Sequence, residues 1–207
     1  RRAPLIALLA ATMVFTLGDG SVQVLLSPHL QAQGAADAVI GPIIAGYSAA
    51  ALCFRFVTGA VYSADRIRWL VAGGCVLQSA AFVAIANAAD PLLLGMLAAV
   101  NGIGFAVAST GGLAALMELR QGANAGVVMA WYTGCIGIGY AAAGFAGGLA
   151  GDLLGLSGAI TALGVIPLLA ALGFAGALRA NPSASAATER VVDPSRAAPS
   201  RPRGWWS

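Results

Sequence analysis

Six stretches of this chain, at about 4–27, 39–62, 69–89, 91–116, 123–150 and 154–178, are apolar and nearly free of charge. Each reaches the roughly 20 residues that a helix needs to cross the hydrocarbon of a bilayer. Over the whole 207 residues 59% are hydrophobic and only 9% are charged, with a mean hydropathy of +0.84. Soluble domains carry about a quarter charged residues, so a water-soluble globular fold is excluded. Disorder needs the opposite composition, low hydrophobicity and high charge. The apolar runs are continuous rather than alternating, and aromatics are 7%, which argues against a membrane β-barrel. The reading is an all-α membrane protein of six transmembrane helices, with the lipid bilayer as its solvent.

The basic residues set its orientation. Arg1 and Arg2 precede the first span, Arg66 and Arg68 separate the second from the third, and Arg120 separates the fourth from the fifth. Arg179, Arg190, Arg196, Arg201 and Arg203 follow the sixth. The other three loops carry no Arg or Lys, and each holds one acid, Asp37, Asp90 or Asp152. By the positive-inside rule both termini are cytoplasmic. The net charge of +3 therefore reports orientation, and no nucleic-acid partner is indicated. Residues 1–179 form the six-helix unit. Residues 180–207, rich in Pro, Ser, Ala and Arg, read as a disordered cytoplasmic tail or the start of a central loop. Arg1 rather than Met stands first and the first apolar run is too long for a signal-peptide core, so the expectation is a trimmed initiator segment or a fragment.

No catalytic constellation is visible, and the reading is not an enzyme. His29, the only histidine, is expected in the first outer loop, exposed. Cys53, Cys75 and Cys135 lack CxxC spacing and sit inside apolar runs, so they read as small apolar side chains, with no metal site and no disulfide framework. The chain has no Lys and no phosphate-binding loop, so nucleotide hydrolysis would need another subunit. No cofactor is called for.

An ionised group in the bilayer costs about 2.5 to 3.5 kcal/mol on insertion scales, so each intramembrane charge needs a reason. Asp19 lies about fifteen residues into the first span, roughly 22 Å from its cytoplasmic end. Desolvation favours the neutral carboxyl, and such a group can take up and release protons. One reading of Asp19 is a proton or cation site; the other is a carboxyl satisfied by Ser21, Gln23 or a helix end near Gly18 and Gly20. Arg55, in the cytoplasmic half of the second span, either snorkels to the inner surface or pairs with Asp65 or an anionic substrate. It differs from Asp19 in depth by about 10 Å, so a direct pair would need tilt or water. Gln23, Gln78, Asn101, Ser109, Thr110, Tyr132 and Thr133 are neutral polar residues within spans, able to line a path or to bond between helices. In the fifth span Gly144 to Gly148 and Gly147 to Gly151 are GxxxG pairs, the mark of a packing seam.

Four local patterns together resemble the amino-terminal half of a major facilitator superfamily transporter. "LGDGSVQVLLSPHL" is similar to the family's first-helix pattern, an Asp followed nine residues later by a Pro that closes the helix, here Asp19 and Pro28. "GAVYSADRIRW" resembles the inner-loop signature, with Asp65, Arg66 and Arg68 as its charged core and Gly59 six residues before the Asp. In "AAVNGIGFA", Asn101, Gly102 and Gly104 match, and Ala98 replaces the family's Arg. "GYAAAGFAGG" is similar to the antiporter signature at Gly139, Gly147 and Gly148, with Ala143 and Gly144 where Gly and Pro are usual.

The resemblance implies two inverted three-helix repeats, spans one to three and four to six, with a path near the midplane. It also implies a second six-helix half or a homodimer partner, because family members normally have twelve spans. The expected function is secondary active transport of a small organic solute or drug, proton-coupled, by alternating access, in the plasma membrane (the bacterial inner membrane). Asp19, Gln23, Arg55, Asn101 and Tyr132 are the candidate proton or substrate residues. Asp65, Arg66 and Arg68 would form the inner gating motif, and Gly139, Gly144, Gly147 and Gly148 the packing and bending positions. The alternative is a non-transporting membrane scaffold or assembly factor built on the same helices.

Overall fold

A computed structural model of the protein describes residues 2–63, 66–119 and 125–179. Among these residues every regular element is helical: α1 (Arg2–Ala32), α2 (Asp37–Ala60), α3 (Ile67–Asn87), α4 (Pro91–Leu119), α5 (Ala125–Leu163) and α6 (Ile166–Arg179). Five continuous helical stretches are long and apolar enough to cross a membrane, the last being Gly126–Leu178. The chain is thus an α-helical, multi-pass membrane protein. Asp65, Arg120 and the tail from residue 180 lie outside the described residues.

Local chemistry explains the helix ends. The resemblance has Pro28 closing the first helix, but α1 continues four residues past it to Ala32. A glycine ends it instead: Gly34 has φ 81, Gly34 N–H donates to the Gln31 carbonyl and Ala35 N–H to that of Leu30. This is a Schellman closure, which needs the left-handed conformation that glycine adopts without strain. His29, expected in an exposed loop, is inside the last turns of α1 and buried, bonded to the Gln33 amide at 3.0 Å. Asp90 caps α4 through its Oδ1, which accepts Leu93 N–H at 2.8 Å, and Pro91 fills the first helical position, where no N–H is needed.

The 39 residues of α5 would extend about 58 Å as one rod, nearly twice the hydrocarbon thickness. They are not one rod: Gly155, with φ 71 and ψ 166, breaks the helix. A second interruption at Gly164 and Val165 precedes Pro167. Packing against α1 fixes the directions of the two limbs. A Cβ at Gly139 would meet Thr16 and Met13, one at Gly147 would meet Ser21, and one at Gly151 would meet Leu25. Numbering rises together, so this limb runs parallel to α1. On α6 the order inverts, since Ile166 packs at Gly18 and Gly173 at Ala11. Between Gly151 and Ile166 the chain therefore reverses.

The helices form two layers. The front layer runs α2, α4, α1, α5; behind it α3 packs on α4, α6 on α1, and α3 on α6. Small residues let backbones touch: a Cβ at Gly74 would stand 2.6 Å from Ala108 N, and one at Gly104 would stand 2.8 Å from Gln78 N. The α1–α5 seam is the row Gly139, Ala143, Gly147 and Gly151, whereas Gly144 and Gly148 face open space. The outer faces of α2 and α5 expose Leu52, Phe56, Trp131, Ile138, Phe145 and Leu153. In lipid such exposure carries no hydrophobic penalty.

Two apolar clusters fill the interior. One contains Phe15, Cys75, Phe105 and Tyr132, and the other Val22, Phe82, Ala98 and Ile160. Along α1, α3 and α4 a buried polar residue falls between the two: Asp19 between Phe15 and Val22, Gln78 between Cys75 and Phe82, and Asn101 between Ala98 and Phe105. A polar layer thus separates two apolar ones.

Candidate functional site

The polar layer centres on Asp19, whose side chain is 0% exposed. Burying a carboxyl without partners is costly, and Asp19 collects donors from three other helices. Tyr47 of α2 donates its hydroxyl at 3.2 Å to Oδ1 and 3.1 Å to Oδ2. Gln78 of α3 donates Nε2 to Oδ1 at 2.7 Å, and Tyr140 of α5 donates its hydroxyl to Oδ2 at 2.9 Å. All three donors are neutral. Ser21, one of the expected local partners, turns away to the carbonyls of Leu17 and Ala143.

Close helix approach makes this convergence. A Cβ at Gly20 would stand 2.6 Å from the Tyr140 ring and 2.7 Å from Ala143 Cβ, so the glycine beside Asp19 admits the tyrosine that caps it. Gly102 does the same for α2, where a Cβ would clash with the Tyr47 carbonyl. Tyr47 also packs on Phe105 with ring centroids 6.1 Å apart, and Phe105 stacks on Phe15 at 5.7 Å.

The layer holds unsatisfied polarity as well. Gln78 Oε1 and Asn101 Oδ1 are buried without a hydrogen-bond partner, and the Gln23 amide nitrogen, also shielded, stands toward the Tyr47 hydroxyl. In native interiors such atoms are the exception and mark function or bound water. Asn101 lies in the same layer as Asp19 without bonding to it, and Gln23 reaches the layer only through Tyr47. Tyr132 is buried, and its hydroxyl donates to the Ser109 carbonyl at 2.8 Å.

Arg55 does not join Asp19. It is exposed on α2, with its guanidinium 5.6 Å from the Phe105 ring centroid. Helical side chains point toward the helix N-terminus. Parallel packing of α2 on α4 sets Tyr62 level with Glu118 and Tyr47 level with Gly102, so Arg55 Cα stands about one and a half turns beyond Phe105, toward the C-terminal ends of both helices. The side chain thus points back toward the middle of α2 and α4, away from the C-terminal end of α2.

At the C-terminal ends of α2 and α4, Tyr62 donates its hydroxyl to Glu118 Oε1. Burial first, and the adjacent carboxylate second, push the Tyr62 phenol above its ordinary range. Arg66 and Arg68 are exposed, and Arg68 lies 5.4 Å over the Trp69 ring. This is an arrangement suited to an interfacial anchor.

Sequence reasoning placed Asp19 at the centre but did not select Tyr47, Gln78 or Tyr140 as site residues. Gln78 appeared only among general polar residues. Tyr47 and Tyr140 stand 28 and 121 residues from Asp19 in sequence. The one available signal was that a tyrosine inside an apolar span needs a partner for its hydroxyl.

Asp19 is thus a buried carboxyl held by neutral donors at the junction of four helices. The comparisons give the family. A model of the Major Facilitator Superfamily matches residues 8–205, nearly the whole chain. The comparison with curated proteins returned no match. The chain belongs to the Major Facilitator Superfamily, whose members are in general membrane transporters.

Proposed function

We propose that this chain carries out secondary active transport of a small organic solute, coupled to protons at Asp19, by alternating access. The observation that carries the reading is the Asp19 carboxyl, wholly buried between two apolar clusters and bonded only to Tyr47, Gln78 and Tyr140. Among the described residues no cation pairs with it, so its charge is compensated there by dipoles alone. Protonation relieves that cost, and the four helices that meet there feel the change.

The packing supports six crossings as two inverted repeats. Exchanging α1, α2 and α3 for α4, α5 and α6 maps the α1–α5 contact onto α4–α2 and the α3–α4 contact onto α6–α1. The α3–α6 contact maps onto itself. In this reading both termini are cytoplasmic, and the Asp65, Arg66 and Arg68 segment serves as the inner gate. The exposed faces of α2 and α5 receive a second six-helix half or a second copy of the chain.

The test is proton movement in proteoliposomes read by an entrapped pH dye. Asp19→Asn is expected to abolish solute-dependent acidification while the protein still purifies as a folded species. Undiminished acidification by that variant would falsify the proton role.

A further inference from the structure

The polar layer and the exposed face beside it differ in which charge they leave free. Asp19 is sealed: both carboxylate oxygens already accept hydrogen bonds, and none of its surface is exposed. A cationic solute could reach it only by expelling Tyr47 and Tyr140. Arg55 is the reverse case. The residue is exposed, and no carboxylate among the described residues pairs with it. The guanidinium lies over Phe105, against which Tyr47 also packs, so it sits on the face beside the polar layer. A guanidinium aimed at the membrane middle, with no counter-ion among the described residues, is an expensive feature that marks function by default.

We infer that Arg55 binds the carboxylate of a small organic monoanion, with Phe105 behind the guanidinium as its apolar backing. The inference rests on the transport reading above and names its substrate class. Five N–H donors in a fixed plane match the two oxygens of a carboxylate. The Tyr132 and Tyr140 hydroxyls already donate to Ser109 and Asp19, so Arg55 is the charged donor left on this face. The chain has no Lys, and a single guanidinium compensates a single negative charge; a dianion would leave its second charge unpaired in a weakly solvating site. The stoichiometry is also consistent. One proton on Asp19 and one carboxylate on Arg55 form a neutral load.

The experiment is calorimetric titration of the protein in lipid discs with three probes of similar size: benzoate, benzylammonium and phthalate. Benzoate is expected to bind, Arg55→Gln to weaken it at least tenfold, and Arg55→Lys to fall between, since Lys keeps the charge and loses the fork. Tighter binding of benzylammonium, equal binding of phthalate, equal benzoate binding by Arg55→Gln, or no benzoate binding at all each overturns the inference. Circular dichroism of both Arg55 variants confirms that they are folded. Asp19→Asn separates the two readings: it is expected to remove the pH dependence of benzoate binding. If that dependence persists while Arg55→Gln still loses affinity, the proton role fails and the anion site stands.

Discussion

Gln78 and Asp19 form a half-used pair. The Gln78 amide nitrogen donates to Asp19 Oδ1 at 2.7 Å, while Gln78 Oε1, equally buried, has no partner. Its backbone cannot shift to serve the oxygen, because a Cβ added at Gly104 would already stand 2.8 Å from Gln78 N. The amide is held by backbone packing and spent on the carboxyl alone.

Removing that donor tests how much it matters. Hydrogen bonds to charged groups contribute about 1.5–3 kcal/mol, so Gln78→Leu is expected to destabilise the protein by about that amount. In an Asp19→Asn background the loss shrinks, because the interaction with charge is gone. Thermal unfolding of the single and double variants in lipid discs gives the coupling, expected at about 0.5 kcal/mol or more. Strictly additive losses would show that Gln78 is only packing.

The glycines offer a contrast between positions of the same residue type. Gly104→Ala drives a methyl group onto the α3 backbone and is expected to cost about 1–3 kcal/mol, as overpacking does. Gly148 meets nothing within 4 Å, so Gly148→Ala is expected to be neutral or to stabilise by up to about 1 kcal/mol through helix propensity. Equal effects at the two positions would contradict the packing described above.

That contrast also shows what was legible beforehand. The GxxxG spacing found Gly147 and Gly151, which do face α1, and selected Gly144 to Gly148 on equal grounds. Spacing defines a helix face, but which face meets a neighbour depends on helix rotation, and in lipid both faces are apolar. The span pattern was readable because transfer of about 20 apolar residues is a local property. Asp19 was readable because a lone charge in hydrocarbon demands explanation. Its partners were not, since Tyr47, Gln78 and Tyr140 meet it only through three separate helix packings. Pro28 misled for a related reason: a proline in the last turns of a helix removes one hydrogen bond and need not end it.

Tyr62 and Glu118 supply a prediction in pH. The phenol is raised above its ordinary value by burial and by the carboxylate beside it. A raised folded value means that its contribution is complete below the unfolded value of about 10 and is lost as pH rises beyond it. Melting temperature is therefore expected to be flat in this respect from pH 7 to about 10 and to fall above that. Tyr62→Phe should flatten the fall and lower stability modestly below pH 10. An alkaline limb of unchanged slope in Tyr62→Phe would assign the effect to another group.

The turn at Gly155 decides how many times the chain crosses. Its φ of 71 with ψ of 166 lies where essentially only glycine is comfortable, and other residues there cost about 1–3 kcal/mol. Gly155→Ala is expected to destabilise by that amount even though nothing lies within 4 Å of the added methyl, because the strain is in the backbone. The turn follows Asp152 directly, and the limbs on either side run in opposite directions along α1. Asp152 should then face the opposite side of the membrane from Ser63, which lies in the α2–α3 connection. With Cys53, Cys75 and Cys135 replaced by Ala, Asp152→Cys should react with an impermeant maleimide in right-side-out vesicles, and Ser63→Cys only in inverted ones. Labelling of both from the same side would mean that residues 126–178 do not make two crossings, and the inverted-repeat reading would fall with them.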